Sequence, residues 1–340
     1  MEPAFAEAGA ELIRLPVHRR DPAALLRNAG KLAQIIRREG VSVVHVRSRA
    51  PAFSALRAAQ RTGTPVVATY HGIYSGRSGL KRWYNGVMTR GDLVIANSEF
   101  TRRHVLAQHP VSGDRVVVVP EGVDITRFDP AHVTFDRVAA VRGGWGLGPD
   151  DGRRVILCAA RLTSWKGQGT AIEAFAGRSR RENGVLILSG RAESDTYLEA
   201  LRGLAQRLGV ADGVRFVGQT EDMPAALQAA DLVLAPSLKA ESFGRAVVEA
   251  AAMERPVIAS DIGAHTETII DGETGWRVAP GDTAAWIRAL DSALATPSDI
   301  LAAMGRRARE RAVASYSLET MIDGTFAVYA TLSSRGWSAK

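Results

Sequence analysis

The chain has 340 residues, more than a single hydrophobic core usually organises, so two domains are the first expectation. Apolar residues make up 46% of the chain, which is enough for full cores and argues against a disordered arm. Lysine and arginine outnumber aspartate and glutamate by 43 to 36, and the resulting charge of +7 favours an anionic partner such as nucleotide phosphates, nucleic acid or an acidic membrane face.

The sequence also narrows the cellular setting. Cys158 is the one cysteine, which excludes an internal disulfide and offers no zinc spacing, and its apolar surroundings predict core packing. No stretch approaches the roughly 18 apolar residues of a membrane span, and the first residues lack the basic start and apolar core of a signal peptide. We expect a cytoplasmic chain that could contact the inner face of the cytoplasmic membrane peripherally.

Short β-rich segments recur along the first part of the chain, at 11–16, 41–46, 65–70, 92–98 and 115–120. Glycine and charge then cluster at 141–154. After this predicted linker the pattern restarts at 154–161, 184–190, 214–218, 231–237, 256–260 and 275–280. The spacing leaves room for a helix or turn between strands, which is typical of parallel sheets in α/β domains.

Helices are predicted over 167–180, over 194–209 with Gly209 as the C-terminal cap, and over 316–332. The fold class is therefore α/β, with two Rossmann-like doubly wound domains facing a cleft. We place the first domain at 1–145, with 317–340 packing back on it, and the second at 146–316.

The stretch ESFGRAVVEA carries two glutamates eight positions apart, Glu241 and Glu249. If a helix begins near Phe243 or Gly244, its free N–H groups form a mouth suited to phosphate, and the glutamates could accept hydrogen bonds from sugar hydroxyls. The alternative is that Glu241 only favours the helix dipole and Glu249 faces solvent.

Two cations follow the first strand of the second half, in AARLTSWKGQGT. Arg161 and Lys166 could neutralise a leaving diphosphate without a metal ion, although a solvated basic loop has the same pattern. The segment does not match a P-loop, and no GxGxxG follows a strand.

His71 is predicted at the carboxyl end of a strand in the first half, where it could contact a substrate hydroxyl or be satisfied by backbone. The residues after it mix cations with amphipathic rings. This mixture suits an anionic lipid-linked acceptor or a membrane surface, or else a plain exposed helix face. The acceptor or membrane residues predicted here are Arg77, Lys81, Arg82 and Trp83.

Together with NSEFTRRHV, VVPEGVD, GVRFVG and DLVLAPS, these motifs resemble the retaining glycosyltransferases of family 4, which have the GT-B architecture. The resemblance implies that Glu249 holds ribose hydroxyls, that Glu241 lies against the donor sugar, and that Arg161 and Lys166 bind the diphosphate. It also places His71 near the sugar and makes neither glutamate a nucleophile. The remaining donor-binding residues that it implies are Gly190, Val217, Ser242, Phe243 and Gly244. Transfer would need no metal ion or cofactor beyond the GDP- or UDP-sugar substrate.

More narrowly, the segments at 45–76 and 79–98 look like lipopolysaccharide core glycosyltransferases of alphaproteobacteria, some of which use GDP-mannose. This implies transfer of a hexose such as mannose to a lipid-linked saccharide. Family members open with a strand, a Gly-rich loop and a helix, and comparison with that pattern implies that roughly 50 residues of the usual start are missing here. Either the start codon is placed too late or the protein is a truncated form, so a catalytically impaired nucleotide-sugar-binding protein is an alternative. A GT-B nucleotide-sugar epimerase, of similar architecture, is a second alternative, whereas nucleic-acid binding is not expected.

Overall fold

The computed structural model describes residue 5 and residues 7–17, 21–74, 78–179 and 184–334. By contacts, the described residues up to Ala96, with Arg102–Val118 and the chain from Thr325, form one compact unit. Asn97–Thr101 and Val119–Gly324 form a second one. Each unit has its own parallel sheet, as predicted for a chain with two α/β domains.

The first unit contains a four-stranded parallel sheet in the order β1-β2-β3-β4. Its strands are β1 (Val44–Val46), β2 (Val66–Tyr70), β3 (Leu93–Ala96) and β4 (Val116–Val118). Its helices are α1 (Pro22–Arg38), α2 (Arg49–Thr62), α3 (Gly79–Asn85) and, from Arg102, α4 (Glu99–Gln108). The carboxylate of Asp21 caps α1, and Gly63 ends α2 in the left-handed conformation that glycine adopts without strain.

The prediction of a strand at 11–16 is wrong, because this segment has no regular secondary structure. Leu12 and Ile13 are 51% and 39% exposed, whereas a strand of a parallel sheet is buried on both faces. The segment mixes apolar residues with the charged Glu11 and Arg14, which fits a position at the surface equally well. The order of the four described strands is consecutive, so this sheet shows no reversal point among them.

The second unit has a six-stranded parallel sheet in the order β10-β9-β8-β5-β6-β7. Its strands are β5 (Arg154–Ala159), β6 (Gly184–Ser189), β7 (Val214–Gly218), β8 (Leu232–Ala235), β9 (Val257–Ser260) and β10 (Trp276–Val278). This is the doubly wound Rossmann order, in which strands are added in one direction from β5 to β7 and in the opposite direction from β8 to β10, so that the order reverses between the neighbouring parallel strands β5 and β8.

The helices of the second unit, α13 only up to Gly324, are α5 (Phe135–Gly144), α6 (Gln168–Gly177), α7 (Asp195–Arg207), α8 (Met223–Ala229), α9 (Arg245–Ala252), α10 (His265–Thr268), α11 (Thr283–Ala295), α12 (Ser298–Tyr316) and α13 (Leu318–Ser334). Two apolar clusters form the core, and the buried Cys158 belongs to one of them, as predicted. The predicted cap Gly209 follows α7 with φ +69°. Among the described helices, none has both the length and the apolar character needed to cross a bilayer.

By contacts, the boundary between the units falls after Val118 rather than after residue 145. The reason is that Val123, Phe128, Trp145 and Leu147 are buried in a core cluster of the second unit. The stretch at 141–154, predicted to be a linker, therefore starts inside α5 and includes two buried residues, Trp145 and Leu147, before exposed positions at 148–150. Similarly, α13 belongs to the first unit only from Thr325.

His45 ties the C-terminal helix to the sheet of the first unit. Its ring nitrogens lie 2.6 Å from the Tyr329 hydroxyl and 2.7 Å from the Thr69 hydroxyl. Burial, aided by the charge of Arg47, lowers the pKa of His45 to about 4. The neutral imidazole is therefore the form that holds α13 in place.

We expect the first unit to lose stability as the pH falls from 7 to 5, because the unfolded chain protonates His45 near pH 6.5 and the folded chain resists protonation. After allowance for partial exposure, the contribution is about 1–2 kcal/mol. Thermal unfolding at both pH values should show a smaller pH dependence in His45→Gln than in the wild type. An equal pH dependence in both proteins would contradict this role.

Candidate functional site

Four of the predicted donor-side residues of the second unit follow the carboxyl ends of its strands. Arg161 and Lys166 follow β5, Gly190 follows β6, and Glu241 follows β8. Because the sheet is parallel, these ends share one edge. The loops after β5 and β8 flank the reversal point, where open α/β sheets bind their ligands.

Lys166 and Glu241 form an ion pair at this reversal point. Lys166 Nζ lies 2.8 Å from Glu241 Oε1, and the side chains are only 17% and 15% exposed. Lys166 also lies over the ring of Trp165, 4.5 Å from its centroid. The two loops are joined by their backbones as well, since Leu238 N–H donates to the Trp165 carbonyl over 2.7 Å.

The close approach of the loops requires Gly167, which follows the 3-10 helix Ser164–Lys166. Its φ is +73°, and a Cβ there would lie 1.8 Å from the Pro236 carbonyl oxygen. A side chain would therefore force the loops apart and move Lys166 away from its carboxylate. The glycine at position 167 is therefore required for the short distance between Lys166 and Glu241.

Glu241 is held ionised. Burial is the strongest single influence on its pKa and acts to raise it, but Lys166, His265 and a hydrogen bond from Ser237 together outweigh burial. The pKa of Glu241 therefore lies below its usual value. His265 has its own pKa lowered by burial, so Lys166 supplies the permanent positive charge.

Sequence reasoning missed Ser237 and His265. The His265 ring is fully buried, its Nδ1 lies 3.1 Å from the Ser260 carbonyl, and its Nε2 lies 3.8 Å from Glu241 Oε1. Their positions after β8 and β9 were a usable signal, because both strands end at the edge that carries Glu241.

Glu249 lies inside α9, whose N-terminal cap is Gly244. Its side chain is 16% exposed, which disfavours the alternative that it simply faces solvent, and Arg245 Nη2 lies 3.0 Å from its Oε1. Burial raises the pKa of Glu249, although Arg245 opposes the shift. The two glutamates of ESFGRAVVEA are therefore both sheltered, but in different environments.

The other predicted donor-side residues have different surroundings. The Arg161 side chain is exposed, and Val217 is half-buried in β7. Gly190 passes so close to β5 that a Cβ would lie 2.0 Å from the Ala160 carbonyl oxygen. The Phe243 ring is buried against Tyr316, and the Ser242 carbonyl accepts hydrogen bonds from Ser98 and Thr101. Because its ring is buried, Phe243 can contact a ligand only through its backbone.

In the first unit, His71 follows β2 as predicted and is exposed, with its Nδ1 3.3 Å from the Thr69 carbonyl. Lys81, Arg82 and Trp83 are exposed on α3. Arg77 lies outside the described residues. The structure thus brings the predicted acceptor or membrane residues of α3 together on one short helix.

A pocket of about 1040 Å³ adjoins α3 within the first unit. Its wall is mainly apolar and aromatic, and its charged lining residues are the cations Arg49 and Lys81. The Arg49 guanidinium lies 3.9 Å from the Tyr74 ring centroid and donates to Asn85 over 2.7 Å. Trp83 and Leu80, also in the lining, are 54% and 76% exposed. Such a pocket suits an amphiphile with a negatively charged group.

Two family models match the chain. The model for Glycosyltransferase Family 4 matches residues 2–127, and the model for Glycosyl transferases group 1 matches residues 145–311. The second match contains the Lys166–Glu241 pair and the whole reversal point.

Among curated proteins, the chain is 35% identical over 229 residues to the D-inositol 3-phosphate glycosyltransferase of Nocardia farcinica, a match covering 65% of this chain and 49% of the relative. It is 30% identical to the lipopolysaccharide core biosynthesis mannosyltransferase LpcC of Rhizobium leguminosarum, over 72% of this chain and 66% of the relative. It is also 30% identical to the phosphatidyl-myo-inositol mannosyltransferase of Mycobacterium leprae, over 86% of this chain and 74% of the relative. The chain thus spans about half the length of the inositol-phosphate relatives.

Among solved structures, a glycosyltransferase from Rickettsia africae superposes with a TM-score of 0.88 at 28% identity, covering 96% of this chain and 86% of the other. Anabaena HepE in complex with UDP has a TM-score of 0.84 at 22% identity, covering 98% and 89%, and shares the fold. These neighbours have the GT-B class of architecture. The chain belongs to the GT-B glycosyltransferase family, with a family 4 segment followed by a group 1 domain.

Substitution of Gly244 by alanine should disturb the site locally. Gly244 has φ +84°, and a Cβ there would lie 2.7 Å from His265 Cδ2. We expect Gly244→Ala to destabilise the protein by about 1–3 kcal/mol, measured by thermal unfolding. Gly169→Ala, within α6, is the control, because the nearest atom to its added Cβ is Leu204 Cδ2, 3.8 Å away. Equal effects of the two substitutions would show that the contact with His265 imposes no constraint.

Proposed function

We propose that this chain is a retaining glycosyltransferase that moves a hexose from a nucleotide-diphosphate sugar to a lipid-linked saccharide without a metal ion. The observation that carries the proposal is the sheltered Lys166–Glu241 pair at the reversal point of a Rossmann sheet. At this position a cation can bind the diphosphate of a sugar diphosphate, and a carboxylate can accept hydrogen bonds from the hydroxyls of its sugar. Membership of the GT-B family and the UDP bound to Anabaena HepE support a nucleotide-sugar as the donor.

In this mechanism the positive groups act on the leaving diphosphate. Lys166 supplies a point charge, and the exposed Arg161 can supply forked contacts. The N-terminus of α9 adds free N–H groups beside Gly244, where no side chain blocks the backbone. These groups stabilise charge that grows as the glycosidic bond breaks, which is the condition for lowering the barrier.

Glu241 is proposed to accept hydrogen bonds from hydroxyls of the donor sugar, because its lowered pKa keeps it an acceptor at neutral pH. Glu249 is proposed to hold the ribose, with Arg245 sharing its carboxylate. Neither residue is assigned as a nucleophile. Retention would arise if the departing phosphate helps to deprotonate an acceptor that attacks on the same face. His71 remains a proposed contact for a substrate hydroxyl.

The pocket beside α3 supports an acceptor that is both anionic and partly apolar. Arg49 and Lys81 can meet phosphate, while Phe53, Trp83 and Tyr84 offer an apolar wall. The names of two relatives, a lipopolysaccharide core mannosyltransferase and a phosphatidyl-myo-inositol mannosyltransferase, agree with a lipid-linked acceptor. We propose the lipopolysaccharide core as the acceptor class, mannose as the first hexose to test, and the inner face of the cytoplasmic membrane as the place of action.

Donor binding can be tested with a thermal-shift panel of UDP-, GDP- and ADP-sugars, followed by transfer assays with the stabilising donor. We expect Lys166→Ala and Glu241→Ala each to lower kcat/KM at least about 100-fold, because each removes a group that contacts the donor. Lys239→Ala and Glu199→Ala are matched controls, since both residues are exposed and lie outside the pair.

Turnover that is unchanged in Lys166→Ala or Glu241→Ala would refute the assignment of the donor site. Stabilisation by a donor without transfer or hydrolysis would identify a nucleotide-sugar-binding protein instead of an enzyme. An epimerised donor formed in the absence of acceptor would indicate an epimerase.

If the pocket of the first unit binds the acceptor, substitutions in it should weaken acceptor binding without changing donor binding. Trp83→Ala and Lys81→Ala should raise KM for a lipid-linked acceptor about 5- to 50-fold, because each removes an apolar or ionic contact of the pocket. The thermal shift caused by the donor should not change. Arg61→Ala, at the exposed end of α2, serves as the control. If these variants had the same acceptor KM as the wild type, the proposal that this pocket binds the acceptor would be refuted.

A further inference from the structure

His265 has a buried nitrogen without a hydrogen-bond partner. Its Nδ1 faces the Ser260 carbonyl, which can only accept, so Nδ1 carries the proton of the neutral ring. Nε2 then presents a lone pair, and it has no hydrogen-bond partner among the described residues. The ring is 0% exposed, so bulk solvent does not reach this atom. Such an orphan is costly in a folded protein and calls for a reason.

The charged groups around this nitrogen belong to a few elements. Glu241, from the loop after β8, lies 3.8 Å away and favours the protonated ring. Lys166, from the loop after β5, opposes protonation. The N-terminus of α9 at Gly244 also disfavours a positive charge. Beyond Ser260, Asp261 is engaged by Arg277 at 3.1 Å, and on α10 the Glu267 carboxylate accepts from the N–H groups of Glu99 and Phe100.

The balance at His265 therefore depends on where the ammonium of Lys166 lies. With Lys166 Nζ at 2.8 Å from Glu241 Oε1, the ammonium compensates the negative charge of the carboxylate. Protonation of the His265 imidazole then gains little electrostatic stabilisation. A diphosphate bound at the reversal point competes for the same ammonium. Each shift of Lys166 toward phosphate leaves Glu241 less compensated, and His265 is the titratable base that faces it.

We propose that His265 is a positioning residue that takes up a proton at Nε2 when Lys166 moves from Glu241 to the donor diphosphate, and so holds Glu241 in place for the sugar. The inference rests on the proposed function of Lys166 and Glu241. The proton comes from solvent, Nδ1 keeps its own proton toward Ser260, and no covalent bond other than N–H is formed. Protonation converts the orphan Nε2 into a donor aimed at Glu241.

Calorimetric titration with a nucleotide-sugar tests this directly. UDP-glucose and GDP-mannose are suitable probes, because the diphosphate of a nucleotide-sugar is fully ionised at neutral pH and does not itself take up protons. Titrations at pH 7 in buffers of different ionisation enthalpy should show uptake of about 0.3–1 proton per donor bound. Accordingly, donor affinity should rise as the pH falls from 8 to 6.

His265→Asn is the informative variant, because its amide can still donate to the Ser260 carbonyl but cannot gain a proton. We expect proton uptake to disappear, and donor affinity to become independent of pH and about 3- to 10-fold weaker at pH 6. Glu241→Gln should also abolish uptake, since the ring then has no charge to compensate. Equal proton uptake in the wild type and His265→Asn, or none in the wild type, would overturn the proposal.

A second measurement needs no donor and therefore separates this inference from the proposed function. The pH titration of His265 can be followed through its imidazole ¹⁵N signals, which are identified among the seven histidines by their loss in His265→Asn. In Lys166→Met, His265 should titrate at a higher pH than in the wild type, because Glu241 has lost its cation. An unchanged titration would refute the coupling even if donors bind. Absence of donor binding with a shifted titration would refute only the proposed function.

Discussion

The ion pair between Lys166 and Glu241 is the interaction around which the second unit is organised at its functional edge. Sheltered charges lose hydration, and a pair of them is tolerated only with good geometry and further hydrogen bonds. Glycines in the loops allow the close backbone contacts that this geometry requires. Gly167 allows contact with the Pro236 carbonyl, and a Cβ on Gly263 would lie 2.6 Å from the Glu241 carbonyl oxygen. The backbone is therefore shaped to hold two side-chain atoms 2.8 Å apart.

The two glutamates of one short motif have acquired opposite properties. Glu241 has a lowered pKa because Lys166 and Ser237 compensate its burial, whereas Glu249 has a raised pKa because burial outweighs Arg245. The two residues are of the same type, so the difference comes from their neighbours: Lys166 from the loop after β5 and Ser237 beside Glu241, and Arg245 beside Glu249. A carboxylate with a fixed charge and one with a more easily lost charge can interact with different hydroxyls of a single ligand.

Much of the second unit follows from its sequence, because strands buried on both faces leave continuous apolar runs that end at recognisable loops. The surface segment at 11–16 shows where such reasoning fails, since a short run of apolar and charged residues does not show whether a neighbouring strand exists. Residues 119–145 joined the second unit because Phe128 and Trp145 enter its core, a long-range choice that local composition does not encode. His265 was missed for a related reason, because its importance lies in a contact with a loop 24 residues earlier in the chain.

The approach of Gly244 to His265 has an evolutionary consequence. A Cβ at position 244 would lie 2.8 Å from His265 Nε2, so the two positions compete for one small volume. Among homologous chains, a larger residue at 244 should therefore be accompanied by a smaller one at 265. Loss of the histidine alone would not free the glycine, because the backbone at 244 has a φ of +84°, which favours glycine even where there is space. Both the ring and the backbone would have to change together.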